Sequence, residues 1–136
     1  MSESGMRSRV LRALKPLDAK TVENSIGPGT PDINYIEGWI ELKWLRNWPR
    51  RDDTIVTIPH FTLGQRRWLR NRHERGGNAW LLLQCRVEWL LFHGLDAHDY
   101  VGRLSRTGLY KVARERWTRG LNDKELVKCL TRDWDN

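Results

Sequence analysis

The chain is poor in the features that would assign it quickly. It has only two cysteines in 136 residues, Cys85 and Cys129. They stand too far apart to form a close metal-binding pair, so a zinc module is excluded, and both read as reduced, structural thiols. No segment approaches the roughly 20 apolar residues that span a bilayer. The opening "MSESGMRSRVLRAL" lacks the long apolar run and small-residue cleavage site of a secretory signal, which sets the expectation of a cytoplasmic protein. There is no internal repeat, low-complexity run, glycine-rich nucleotide loop or helix-turn-helix signature. Acidic residues are in deficit, 17 against 24 Lys and Arg, giving a formal charge of +7 and a pI near 9.9. A compact basic chain is a candidate for a polyanionic partner.

Tryptophan, by contrast, is abundant, with eight residues. Trp39, Trp68 and Trp80 fall at core-like positions, and exposed ones can stack on bases or fill a subunit contact. The length suits one domain over 1–136 that buries its own core.

Residues 3–15 predict an amphipathic helix stopped near Pro16, with Met6, Val10, Leu11 and Leu14 on one stripe and Ser2 or Ser4 as cap. A short strand is expected over 19–26, then a break at "GPG". "PDINYI" and "GWIELKWL" read as two strands joined at Glu37-Gly38. "RNWPRRDDT" is a loop, and "IVTI" a short extended piece. A helix begins near Thr62 and ends at Gly76-Gly77, followed by strands over 79–84 and 87–92, which makes a β-α-β unit. "DAHDYVGRL" is a short helix, "LYKVARERW" is ambiguous, and "NDKELVKCLTRDW" is a helix with Asn122 and Glu125 in capping-box spacing. The fold class is α/β.

Asp32, Glu41 and Lys43 are the residues most suggestive of chemistry. Side chains alternate along a strand, so Glu41 and Lys43 share a face. A turn centred on Glu37-Gly38 pairs Ile36 with Trp39, Asn34 with Glu41 and Asp32 with Lys43. Asp32 and Glu41 then lie diagonally on one surface. Two carboxylates brought together repel unless a cation sits between them. Oxygen donors of this kind suit Mg2+, with Mn2+ as a substitute, and the Leu42 carbonyl can join them. Lys43 can steer water or neutralise charge on a phosphate. A plain Asp32–Lys43 salt bridge on a surface hairpin is the competing explanation.

The order "GTPD", hydrophobic strand, glycine, "WIELK", then "LGQRRWLRNRHERGGNAWLLL", resembles the PD-(D/E)xK nuclease superfamily over about residues 3–92, and within it the VRR-NUC branch and related junction resolvases. The resemblance implies a restriction-endonuclease-like mixed sheet flanked by helices. It makes Asp32 and Glu41 metal ligands, Lys43 the catalytic lysine, and Gln65 a contact to metal-bound water or phosphate. It also calls for a further acid, Glu3 on the first helix or Glu23 on the preceding strand. Arg66, Arg67, Arg70 and Arg72 on the Gln65 helix, with Arg46, Arg50 and Arg51 in the preceding loop, are the expected DNA-backbone contacts. Arg114, Arg116 and Arg119 offer a second basic patch. The implied activity is Mg2+-dependent cleavage of branched DNA by a homodimer, a Holliday-junction resolvase of the small stand-alone type found in phages. A flap or general DNA-processing nuclease, and a non-catalytic DNA-binding protein with the same fold, are the alternatives.

Overall fold

The computed structural model describes residues 2–23 and 27–131, the side chain of Glu3 excepted. In chain order the elements are α1 (Glu3–Ala13), a 3-10 turn (Lys15–Leu17), β1 (Lys20–Thr21), β2 (Ile33–Tyr35), β3 (Gly38–Leu45), α2 (Leu63–Glu74), β4 (Asn78–Cys85), β5 (Glu88–His93), α3 (Gly94–Tyr100), α4 (Arg106–Val112), β6 (Glu115–Trp117) and α5 (Asp123–Thr131). This is an α/β fold built on a mixed sheet. The six strands lie side by side in sequence order. Among them β3 and β4 run parallel, and every other neighbouring pair is antiparallel.

The parallel pair follows from its connection. A parallel neighbour needs a crossover, and α2 supplies it. Thr62 starts that helix with a full capping box: its hydroxyl accepts from the Gln65 N–H, and the Gln65 side chain accepts from the Thr62 N–H. β4 lies between two layers of helices, so both its faces are buried and it reads as a continuous apolar run.

Alternation divides the core in two. On one face, α1 and α5 cover Ile33, Ile40, Trp80, Leu82, Trp89 and Leu91 with Met6, Val10, Leu14, Leu126 and Leu130. The expected stripe on α1 is therefore the buried one, and Ser2 caps it. Tyr35 ties the layers together, its hydroxyl donating to the Leu130 carbonyl at 2.9 Å and accepting from the Trp80 indole at 3.1 Å. On the other face Leu69 of α2, Ala97 and Val101 near α3, and Leu109 of α4 pack over Ala79, Leu81, Leu83, Leu90 and Phe92.

The β2–β3 register differs from the expected one. Tyr35 pairs with Gly38, Asn34 with Trp39 and Ile33 with Ile40, so the turn is Ile36-Glu37 and Gly38 is the first residue of β3. Gly38 is required there by proximity to β4, since a Cβ would lie 2.2 Å from the Asn78 carbonyl oxygen. The glycine marks a close strand contact and not the turn. The correction is two residues, an even number, so no side chain changes face.

Smaller differences have local causes. The first helix ends at Ala13 and Pro16 lies in the 3-10 turn. β1 is two residues long, and residues 24–26 of the expected strand lie outside the described set, as does the end of the last helix beyond 131. "IVTI" makes a single bridge, Ile55 to Ser105. The ambiguous "LYKVARERW" divides between α4 and β6. Asn122 caps the Glu125 N–H at 3.0 Å, but the Glu125 carboxylate goes to the Trp117 indole at 2.7 Å, so only half of the capping box forms. Both cysteines are buried, and no disulfide joins them. They belong to opposite faces of the sheet.

Candidate active site

β2 is three residues long and β3 is eight, so β3 runs on past its partner. Asp32 stands where β2 would otherwise continue. Its backbone carbonyl still accepts from Val22 at 2.9 Å, but its side chain turns to β3 and accepts the Leu42 N–H at 2.8 Å. A carboxylate thus takes the place of a missing strand rung. In a strand the N–H and C=O of one residue leave on the same side, so the Leu42 carbonyl faces this open edge too.

In the observed register Asp32 falls opposite Glu41, one pair beyond Ile33–Ile40. The shared face expected for Asp32, Glu41 and Lys43 is retained, and the two acids come closer than a diagonal. Glu41 is 1% exposed. Its Oε2 is buried with no hydrogen-bond partner among the described residues. Burial pushes its pKa well above the ordinary carboxylate range. The hydrogen bond and negative charge of Asp32 push it further, and the charge of Lys43 only partly opposes them.

Lys43 is also buried. Its ammonium donates to the His60 carbonyl at 3.0 Å and lies 5.6 Å from the centre of the Phe61 ring. His60 adopts a left-handed φ of 63°, uncommon for a residue with a side chain. No Asp32–Lys43 salt bridge occurs among the described residues; the pairs present lie elsewhere. The plain surface salt bridge is therefore not what this hairpin builds.

Asp32, Lys43 and His60 open into a cleft of about 190 Å³ that Met6, Arg7, Leu42, Trp44 and Pro59 also line; the buried Glu41 adjoins Asp32 but does not line the cleft. Arg7 is an addition that the sequence pattern did not single out. It follows Met6, a buried stripe position, and so sits on the flank of α1, at the cleft wall. The pairing of α1 with this end of β3 is tertiary, and no local signal announces it.

Glu3 is the first residue of α1, the helix that brings Met6 and Arg7 to the cleft, but its side chain lies outside the described set. Glu23 is exposed beyond β1. Among the described residues no group of three or more His, Cys, Asp or Glu side chains converges as a metal site. The oxygen donors at hand are Asp32, Glu41 and the Leu42 carbonyl. That set fits a hard divalent cation with waters in the remaining positions, and the unpartnered Glu41 oxygen is the feature a cation would satisfy.

Gln65 has its side-chain oxygen engaged in the cap of α2. It is close to the loop that leads into Asp32. Gly29, with φ of 83°, lies so near α2 that a Cβ would meet Gly64 at 2.2 Å and the Gln65 nitrogen at 2.5 Å. The "GPG" break thus seats the helix start against the segment carrying Pro31-Asp32.

The arginines separate by environment. Arg66 turns inward, 4.1 Å over the Phe61 ring and within reach of the Ala97 and His98 carbonyls, and burial lowers its pKa. Arg70 contacts His98 at 3.4 Å. Arg72 lies over the rings of Trp68 and Trp39. Arg67, Arg46, Arg50 and Arg51 are exposed, and Arg51 pairs with Asp53 at 3.2 Å. Of the second patch, Arg116 lies over Tyr110 and 3.5 Å from Glu88.

Comparisons with protein-family models, curated proteins and solved structures give no match for this chain.

Proposed function

We propose that this chain is a Mg2+-dependent endonuclease that hydrolyses phosphodiester bonds in branched DNA, with Mn2+ able to replace Mg2+. On this reading the fold is restriction-endonuclease-like, of the PD-(D/E)xK superfamily and its VRR-NUC branch. The observation that carries the reading is the buried Glu41 oxygen, unpartnered among the described residues, beside Asp32 at an open strand edge, with Lys43 on the same face. Two acids held together in a poorly hydrated place cost stability unless a proton or a cation joins them. A surface hairpin has no reason to retain that arrangement.

Asp32, Glu41 and the Leu42 carbonyl would hold the cation, which would polarise a phosphate oxygen and favour deprotonation of water. Lys43, fixed by the His60 carbonyl, places positive charge beside the same cleft, where a phosphate gains negative charge during hydrolysis. Arg7 supplies a guanidinium at the wall to hold the phosphodiester. The exposed Arg46, Arg50, Arg51 and Arg67 would position more backbone without reading bases.

A four-way junction is the proposed substrate and a homodimer the proposed working form, since two strands must be cut symmetrically. Both rest on the resemblance of the motif order. The test is cleavage of matched four-way, flap and linear DNAs with Mg2+, comparing wild type and Asp32→Ala. Metal-dependent, paired nicks confined to the four-way DNA and absent in the variant are expected. Equal cutting of flap DNA would move the assignment to a flap nuclease. DNA binding without cleavage in Mg2+ or Mn2+ would overturn the enzymatic reading.

A further inference from the structure

Trp44 borders two clefts at once. One is the site cleft with Arg7, Asp32 and Lys43. The other, of about 510 Å³, is lined by Trp44, Arg46, Gln84, Arg86 and Val87. Leu42 and Trp44 both project to the α1 side of β3, and Trp44 is the residue that the two clefts share. Among the described residues, Arg7, Lys43, Arg46 and Arg86 line the pair against a single acid, Asp32.

Arg86 adds a second, independent observation. Residues 86 and 87 form the two-residue turn between the paired Cys85 and Glu88. Arg86, in its first position, has a φ of 58°. Glycine ordinarily takes such a place, and a side chain there is strained. This arginine is held there, its guanidinium donating to Asn47 at 2.7 Å beside the second cleft. A cation is kept where local backbone energetics favour glycine.

We propose that Trp44 is a stacking platform for an unpaired nucleobase next to the cut site, and that the same DNA strand continues from the Arg7 cleft across the indole to Arg46 and Arg86. This deepens the nuclease reading and rests on it for the identity of the polyanion. Cationic groups in both clefts that border one aromatic residue suit a strand with phosphates and a free base. A fully paired duplex offers no base to the indole, whereas a branch point does. Trp44 is thereby a binding residue that favours DNA with an unpaired step.

The test is equilibrium binding of a labelled oligothymidine and a matched labelled duplex in EDTA, where no cleavage intervenes. Trp44→Leu is expected to weaken oligothymidine binding by roughly tenfold or more, with little effect on the duplex, and Trp44→Phe to restore most of the loss. Because Trp44 packs partly on the core, Arg86→Gly provides a second variant that removes charge while relieving the strained backbone. It should fold at least as stably and reduce the salt slope of binding by about one ion. Trp44→Leu that is folded by circular dichroism and binds oligothymidine like wild type would overturn the platform, as would an unchanged salt slope in Arg86→Gly. Cleavage lost in Asp32→Ala alongside an unaffected Trp44→Leu would sink this inference and leave the nuclease reading standing. Absence of cleavage with the Trp44 effect intact would do the reverse.

Discussion

The Asp32 carboxylate accepts the Leu42 N–H at 2.8 Å, closing with a side chain the strand edge that β2 leaves open. The same contact anchors Asp32 opposite Glu41, so one hydrogen bond serves the fold and assembles the candidate site.

Asp32→Ala is expected to separate these roles quantitatively. Losing the acceptor should cost about 1 kcal/mol of stability, measured by urea unfolding. Losing the carboxylate should lower Mg2+-dependent cleavage by about a hundredfold or more, far beyond what the stability change explains. Equal cleavage by the folded variant would remove Asp32 from the site.

Glu41 predicts an unusual pH dependence. Its folded pKa is raised, so the folded protein binds more protons than the unfolded chain above the ordinary carboxylate range. Its contribution to stability is fully present at low pH and is lost as pH rises from the unfolded value through the raised folded one. Without divalent metal, thermal unfolding should therefore show stability falling across that window. Glu41→Gln should flatten the fall, and Mg2+ should offset it in wild type but not in the variant. A wild-type curve insensitive to both pH and Mg2+ would contradict the picture.

Lys43→Met keeps the length and apolar stem of the side chain and removes its charge. It is expected to retain Mg2+ binding by calorimetry and to lose about a hundredfold in cleavage rate. Loss of metal binding together with cleavage would instead make Lys43 a support for the carboxylates.

Gly38→Ala tests the corrected register. The added Cβ would meet the Asn78 carbonyl oxygen at 2.2 Å, so the β3–β4 pair must separate. A loss of about 2 kcal/mol or more is expected in urea unfolding. A neutral substitution would restore Gly38 to the turn.

Tyr35→Phe removes a hydroxyl that bonds both Leu130 and Trp80 in the buried layer. Losing both hydrogen bonds should cost about 1–3 kcal/mol, read as a lowered unfolding midpoint. A midpoint equal to wild type would mean that water or rearrangement replaces them.

Much of this was written locally. The stripe Met6-Val10-Leu14, the Thr62–Gln65 cap and the apolar run of β4 each reflect the period or end chemistry of one element, which neighbouring residues determine. The shared face of Asp32, Glu41 and Lys43 was legible for the same reason, because alternation survives a two-residue error in register. What tertiary structure alone decided is how the elements meet. Gly38 was placed in the turn because the closeness of Asn78 belongs to a strand forty residues on in the chain. Arg7 reached the cleft only because α1 packs across this end of β3, and Arg66, alike in sequence to Arg67, turned inward onto Phe61. Local propensity fixes which face a side chain takes. Burial, charge and partners come from surfaces brought together by folding, and it is these that leave one Glu41 oxygen without a partner among the described residues.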